Sequence, residues 1–209
     1  MHRDVLIKLL ILEGVLSSEK VITAFKKVRR EQFVPERLKE AAYEDTPLPL
    51  LGGQTISAPH MVAKMTEELD VKSGQNILEI GTGSGYQAAI LSVLNQKGKI
   101  FTIELSPELA ECAKNALREF ENVRVFSGDG SLGLPEYAPY DRIIATAGCP
   151  DIPKPWIQQI KDGGKIVAPV GGVYEQRLVL VEKRKGKIIE KDLNFPCVFV
   201  SLRGVYGQK

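Results

Sequence analysis

The sequence predicts an α/β fold: a doubly wound, mostly parallel sheet of Rossmann-like form, with helices ahead of it and an antiparallel β edge after it. Three observations carry this. From Lys72 to Gly171, short apolar runs alternate with helical periods, the pattern of parallel strands joined by crossover helices. The first of these runs ends in a glycine loop that opens a helix, a known arrangement at the carboxyl end of a nucleotide-binding sheet. After Gly171 the helical periods stop, and apolar runs separated by turn residues follow.

The elements follow in order. Val5, Leu6, Leu9, Leu10 and Leu12 form an apolar stripe that predicts a first helix ended by Gly14. Ser17 or Ser18 is placed to cap a second helix carrying Val21, Ile22, Phe25 and Val28, which Phe33-Val34-Pro35 breaks. Glu36 to Tyr43 suits a short third helix. Residues 47–60 change texture: Pro47, Pro49, Gly52, Gly53 and Pro59 surround Gln54-Thr55-Ile56-Ser57, a loop whose irregular backbone offers free N–H groups to a ligand. Met61 to Leu69 resumes a helical period. Strands are then expected at 76–80, 99–104, 123–126, 140–146 and 165–170, and helices at 86–94, 107–119 and 155–160, the last closed by Asp162-Gly163-Gly164. Segments 176–181 and 186–192 read as a hairpin about Arg184-Lys185-Gly186-Lys187, and 195–202 as a last strand. Residues 1–209 are expected to form one domain: a helical, substrate-side segment over 1–70, a cofactor-binding core over 71–171 and a β segment over 172–209.

Composition narrows the function classes. A chain of 209 residues, 44% hydrophobic, suits one domain with a proper core. The net charge of +2, from 28 basic and 26 acidic side chains, argues against a nucleic-acid partner, which needs a clustered basic face. The densest basic patch, Lys183-Arg184-Lys185, reads as an exposed turn between strands. Cys112, Cys149 and Cys197 are far apart and odd in number, so free thiols in a reducing, cytoplasmic setting are expected. His2 and His60 alone do not make a metal site. No apolar stretch reaches the roughly 18 residues of a membrane span, and Met1-His2-Arg3-Asp4 leads into an amphipathic pattern without a cleavage signal. With no exposed heptad in view, a monomer is expected.

The glycine loop is Gly81-Thr82-Gly83-Ser84-Gly85. Its spacing, Gly81-x-Gly83-x-Gly85, is tighter than G-x-G-x-x-G and suits a cofactor without a pyrophosphate, because fewer amides need to face an anion. Glu79 lies two residues ahead, inside an apolar strand. A carboxylate there fits a cofactor bearing a sulfonium and an ammonium group; the plainer reading is a strand-edge charge facing solvent. Glu104 ends the second strand, 23 positions after Gly81, where an acidic residue accepts hydrogen bonds from both ribose hydroxyls. Asp129 follows the third strand in Gly128-Asp129-Gly130, either to meet an adenine amino group or as a plain Asp-Gly turn. Taken in order these features point to S-adenosylmethionine, with S-adenosylhomocysteine as product, held by Glu79, Gly81, Thr82, Gly83, Gly85, Glu104, Leu105, Asp129 and Gly130.

Gly53-Gln54-Thr55-Ile56-Ser57-Ala58-Pro59-His60-Met61-Val62-Ala63, ahead of the loop, resembles the upstream signature of the protein-L-isoaspartate (D-aspartate) O-methyltransferase family, which general methyltransferases lack. Leu78 to Ala89, Gly128-Asp129-Gly130, Ala145-Thr146-Ala147, Asp151-Ile152-Pro153, Gln159 to Gly171 and Arg30 to Pro35 extend the resemblance over nearly the whole chain. The departures are Leu51-Gly52-Gly53 where that family has Gly-Tyr-Gly, Val200-Ser201-Leu202 where Val-Pro-Leu is common, and Arg203 for a small polar residue.

The resemblance implies a class I methyltransferase of protein repair, acting on the free α-carboxylate of isoaspartyl residues in damaged proteins and peptides. It implies that Ser57 positions that carboxylate, that Thr55, Ile56 and His60 line the cofactor site or the substrate entrance, and that Gln208 closes over the site from the C-terminus. The residues themselves leave other readings open: Ser57 as a helix cap, His60 as a proton relay or a polar wall, and Trp156 as a stacking platform or a core aromatic. Competing classes are a methyltransferase of small molecules or RNA, a nicotinamide-dinucleotide oxidoreductase, and a non-catalytic cofactor-binding module.

Overall fold

The computed structural model describes residues 2–208. Helix α1 (Arg3–Leu12) buries Leu6, Ile7 and Leu10, while Val5, Leu9 and Leu12 of the expected stripe face outward at 48%, 41% and 83% exposure. The stripe is narrower than the sequence suggests: only Leu6, Ile7 and Leu10 enter the core shared with α2 (Glu19–Lys27). Ser18 is the N-cap residue of α2, but its hydroxyl does not cap. It donates to Glu67 Oε2, and Glu67 Oε1 accepts from the amides of Ser17 and Ser18. A carboxylate from α3 (Pro59–Leu69) thus sits at the positive end of α2. Arg30–Phe33 and Glu36–Ala41 are 3-10 turns, the latter in place of the third helix.

The loop region after them contains a small antiparallel pair, β1 (Leu48–Pro49) with β2 (Thr55–Ile56), in which Leu48 opposes Ile56. The main sheet has seven strands: β3 (Asn76–Ile80), β4 (Lys99–Glu104), β5 (Val123–Ser127), β6 (Tyr140–Ala145), β7 (Ile160–Gly171), β8 (Gln176–Arg184) and β9 (Lys187–Cys197), in the order β5-β4-β3-β6-β7-β8-β9. The first five are parallel and the last two antiparallel, as expected. Helices α4 (Tyr86–Leu94), α5 (Pro107–Ala116) and α6 (Lys154–Gln159) make the crossovers. Alternation along the strands builds two cores. Ile77, Ile100, Ile144 and Val167 face α3 and α4, and Leu78, Phe101, Ile143 and Ile166 pack with Trp156 on the other side. Each such buried side chain contributes about 1.5–3 kcal/mol.

Three boundaries differ from expectation. Helix α5 stops at Ala116, where Leu117 is already the C-cap. Asp162-Gly163-Gly164 does not close α6: β7 begins at Ile160, and these residues form a bulge opposite the Tyr140/Arg142 step, with Gly163 at φ 79. The last strand is also shorter. Phe195–Cys197 belong to β9, and the chain then leaves the sheet, held by Gly148, whose amide donates to Val200 O and whose carbonyl accepts from Leu202 N. The hairpin turns at Lys185-Gly186, both left-handed (φ 50 and 74), the geometry of a tight type I′ turn. Among the described residues, no helix is long and apolar enough to cross a membrane.

Candidate active site

The chain runs outward from β3 to β4 and β5, then returns to β6 on the other side of β3. The carboxyl ends of β3, β4 and β6 therefore flank a crevice, the place where an open α/β sheet binds a ligand. Three adjoining cavities lie there. The donor-side cavity runs between Gly81, Gly83, Glu104, Leu105, Gly130 and the segment Val200–Arg203. A second lies under Ile56 and Ser57 against Gly81, Thr82, Gly83 and Gln87. The third opens between Ser57, His60, Met61 and Pro196–Val200. Thr55 and Thr146 line all three, and Ser57 lines the second and third.

The glycine loop is clamped between its neighbours. Gly81 donates its amide to Ile103 O of β4, and its carbonyl accepts from Thr146 Oγ1 at the end of β6. With φ 90, and with any Cβ only 2.6 Å from Thr146 Oγ1, position 81 requires glycine. Gly85 is the N-cap of α4 at φ 89, where a Cβ would meet Leu117 Cδ1 at 2.9 Å. Between them Gly83 N donates to Glu104 Oε2 at 3.0 Å, and Ser106 N to Glu104 Oε1 at 3.1 Å. A carboxylate has about four acceptor positions, so Glu104 retains capacity for a ribose diol facing the donor-side cavity.

Glu79 faces the same side of the sheet as Ile77. It is fully buried, neither oxygen has a hydrogen-bond partner, and the Thr102 hydroxyl in register with it on β4 pairs with Thr82 Oγ1. Burial pushes its carboxyl up to about 8, so it carries its proton at neutral pH. The solvent-facing reading of Glu79 is therefore excluded. Thr82, by contrast, opens into the second cavity.

Asp129 stands behind the donor-side wall. Its carboxylate accepts from the amides of Ser131 and Val205, both at 2.9 Å. Burial works to raise its pKa, but these hydrogen bonds outweigh it and hold the group below the usual carboxylate range. Gly130 does line the cavity, and its carbonyl accepts from Trp156 Nε1 at 3.0 Å. Trp156 is wholly buried, so of its two readings the core aromatic holds, with the added task of fixing Gly130. Gln208 donates its side-chain amide to Gly171 O and its backbone amide to Leu202 O, which closes a loop over residues 203–207 beside the site.

The structure thus brings Thr55, Ile56, Ser57, His60, Gly81, Thr82, Gly83, Glu104, Leu105 and Gly130 onto cavity walls, and places Glu79, Gly85, Asp129 and Gln208 behind them. The N-cap of α3 is Ala58, not Ser57, which leaves the Ser57 hydroxyl free of that duty. His60 is oriented by Asp45, whose Oδ1 accepts its amide at 2.8 Å and lies 3.0 Å from its Nδ1. Residues not singled out as cavity-lining include Thr146, Ile80, Ile103 and the stretch Pro196–Phe199. Thr146 was within reach, because it follows directly on the fourth parallel strand, at the carboxyl end where such sheets bind.

The residues present fit the expected cofactor: a glycine cradle, an acid placed for a diol, and an orphaned buried carboxyl beneath the loop as a latent negative charge. Comparison with known proteins points the same way. The family description "Protein-L-isoaspartate(D-aspartate) O-methyltransferase" matches residues 1–206. A protein-L-isoaspartate O-methyltransferase of Hyperthermus butylicus is 51% identical over 214 residues, covering 97% of this chain and 88% of its own. A solved protein-L-isoaspartate O-methyltransferase superposes with TM-score 0.88 at 30% identity, over 99% of this chain and 67% of that one. A structure from Plasmodium falciparum assigned to the same enzyme, in complex with S-adenosyl-L-homocysteine, shares the fold with TM-score 0.87 at 24% identity, over 97% of this chain and 99% of that one.

Proposed function

Because the chain belongs to the protein-L-isoaspartate (D-aspartate) O-methyltransferase family, we propose that its cleft methylates the free α-carboxylate of L-isoaspartyl residues in damaged proteins and peptides, with Ser57 positioning that carboxylate. The observation that carries this reading is the placement of Ser57: it lines both the cavity against the glycine loop and the cavity that opens at Pro196–Val200. Ser57 thus lies between the glycine loop and the cavity that opens at Pro196–Val200.

S-adenosylmethionine supplies a methyl group on a sulfonium, so the leaving sulfur departs neutral. The acceptor carboxylate, with an unperturbed pKa near 4, is already ionised at pH 7, and no strong base is needed. The chain's tasks are to bind, align and desolvate. Glu104 would hold the ribose hydroxyls. Gly81 and Gly83 would let the cofactor approach the loop closely, and Leu105 and Gly130 would line the adenine side. Thr55 and His60 wall the acceptor entrance, Ile56 covers the cavity against the glycine loop, and the tail that Asp129 and Gln208 anchor shields the donor side from water. The nitrogen of the following amide then attacks the methyl ester, expelling methanol and closing a succinimide, whose hydrolysis yields normal aspartate in part.

In the same reading residues 1–209 act as one methyltransferase domain, a cytoplasmic monomer working on protein rather than nucleic acid or membrane. The modest charge of +2 and the three free cysteines support this. Ser57→Ala tests the central residue. A hydrogen bond to a charged group is worth about 1.5–3 kcal/mol, so kcat/KM for an isoaspartyl peptide should fall roughly 10- to 100-fold. Wild-type kcat/KM in the variant contradicts the role.

A further inference from the structure

After β9 the chain passes from the acceptor cavity, lined by Val198–Val200, to the donor-side cavity, lined by Val200–Arg203. These two halves are held by different supports. Val200 and Leu202 are paired to Gly148, and the loop beyond is pinned by Asp129 at Val205 and by Ser131 at Tyr206. The Phe199 amide instead donates to Gln176 Oε1 at 2.7 Å. Gln176 is only 2% exposed at the start of β8, and its Nε2 donates to Gly172 O at 2.7 Å. The β7–β8 turn is thereby tied to the acceptor wall through one side chain. Gly148 lies flat on that side chain: a Cβ at 148 would stand 2.7 Å from Gln176 Cδ.

The neighbours of Gln176 along the same strand face, Leu178 and Leu180, are buried and apolar. An amide in such surroundings is costly unless its groups are paired, and here both ends are. What they join is the backbone opposite Ser57. We propose that Gln176 is a positioning residue for the acceptor: it sets the place of Phe199 in the acceptor wall, and so the affinity for the isoaspartyl peptide, without touching the peptide. This rests on the reading that the cavity between Ser57 and Phe199 receives the acceptor.

The test compares wild type with Gln176→Met and Gln176→Glu. Methionine fills a similar volume but neither accepts from Phe199 nor donates to Gly172. Glutamate keeps the acceptor and loses the donor. Peptide KM and kcat, the Kd of S-adenosylhomocysteine by calorimetry, and thermal unfolding are measured on each. Gln176→Met should raise peptide KM roughly 5- to 50-fold, the range expected for an unpaired buried amide, with the S-adenosylhomocysteine Kd within about twofold. Gln176→Glu should fall between it and wild type. An unchanged KM, or a KM that rises only in step with lost S-adenosylhomocysteine affinity, overturns the proposal. Should Gln176→Met fail to fold, Gln176→Glu decides by the same split. A wild-type enzyme that ignores the isoaspartyl peptide sinks the functional reading and this inference with it, a result distinct from both.

Discussion

Replacing Glu79 by glutamine should remove a pH dependence of stability from the cofactor-free protein. The carboxyl is fully buried without a hydrogen-bond partner, and burial raises it from 4.5 to about 8. In the unfolded chain it ionises near its ordinary value. Between these two values the unfolded state has lost the proton and the folded state has kept it, so folding stability falls as pH rises. The slope is about 1.4 kcal/mol per pH unit. Allowing for partial ionisation at both ends, wild type should lose roughly 3 to 4 kcal/mol relative to Glu79→Gln between about pH 5 and pH 8. Any pH-independent cost of the amide cancels in that difference. Urea unfolding of both proteins without cofactor at the two pH values measures it. Parallel stability curves would refute the argument, since they would mean that Glu79 titrates alike in the folded and unfolded chain. The same reasoning predicts that a cationic ligand above the loop draws the proton off Glu79. Binding of S-adenosylmethionine near pH 7 should then release protons, seen as a buffer-dependent calorimetric enthalpy that Glu79→Gln abolishes.

Two further substitutions probe the donor side. Glu104→Gln keeps shape but loses the charge that holds Gly83 and Ser106, and S-adenosylhomocysteine affinity should drop roughly 10- to 100-fold by calorimetry; unchanged affinity would remove Glu104 from the ribose role. Trp156→Phe deletes one of two donors to Gly130 O, which keeps the Gly133 amide, and should cost about 0.5–1.5 kcal/mol in denaturant unfolding beyond the lost ring area.

Much of this fold was legible because its signals are local. Strands β3 to β6 and helix α4 follow apolar runs and glycine punctuation, and they lie where those signals put them. Misreadings came where tertiary contacts decide. Val5, Leu9 and Leu12 are apolar yet exposed, since only a partner surface selects one ridge of a helix. Ser18 looked like a cap, but its hydroxyl donates instead to Glu67, some fifty residues away. Asp162-Gly163-Gly164 has the chemistry of a helix stop, yet the parallel ladder to β6 draws it into β7 as a bulge. At the site, Glu104 and the glycines were readable from spacing. Ser57 came through resemblance, and the tasks of Trp156 and Gln176 emerge only in three dimensions, because each acts through a backbone atom that the sequence does not mark.

The most direct measurement is methylation of two peptides that differ only at one residue, isoaspartyl in one and normal aspartyl in the other, with labelled S-adenosylmethionine. An acceptor cavity that presents one hydroxyl to a free α-carboxylate predicts rapid labelling of the isoaspartyl peptide, with little or none of its twin. The label should also be lost as the ester closes to succinimide. Equal labelling of both peptides, or of neither, would contradict the account.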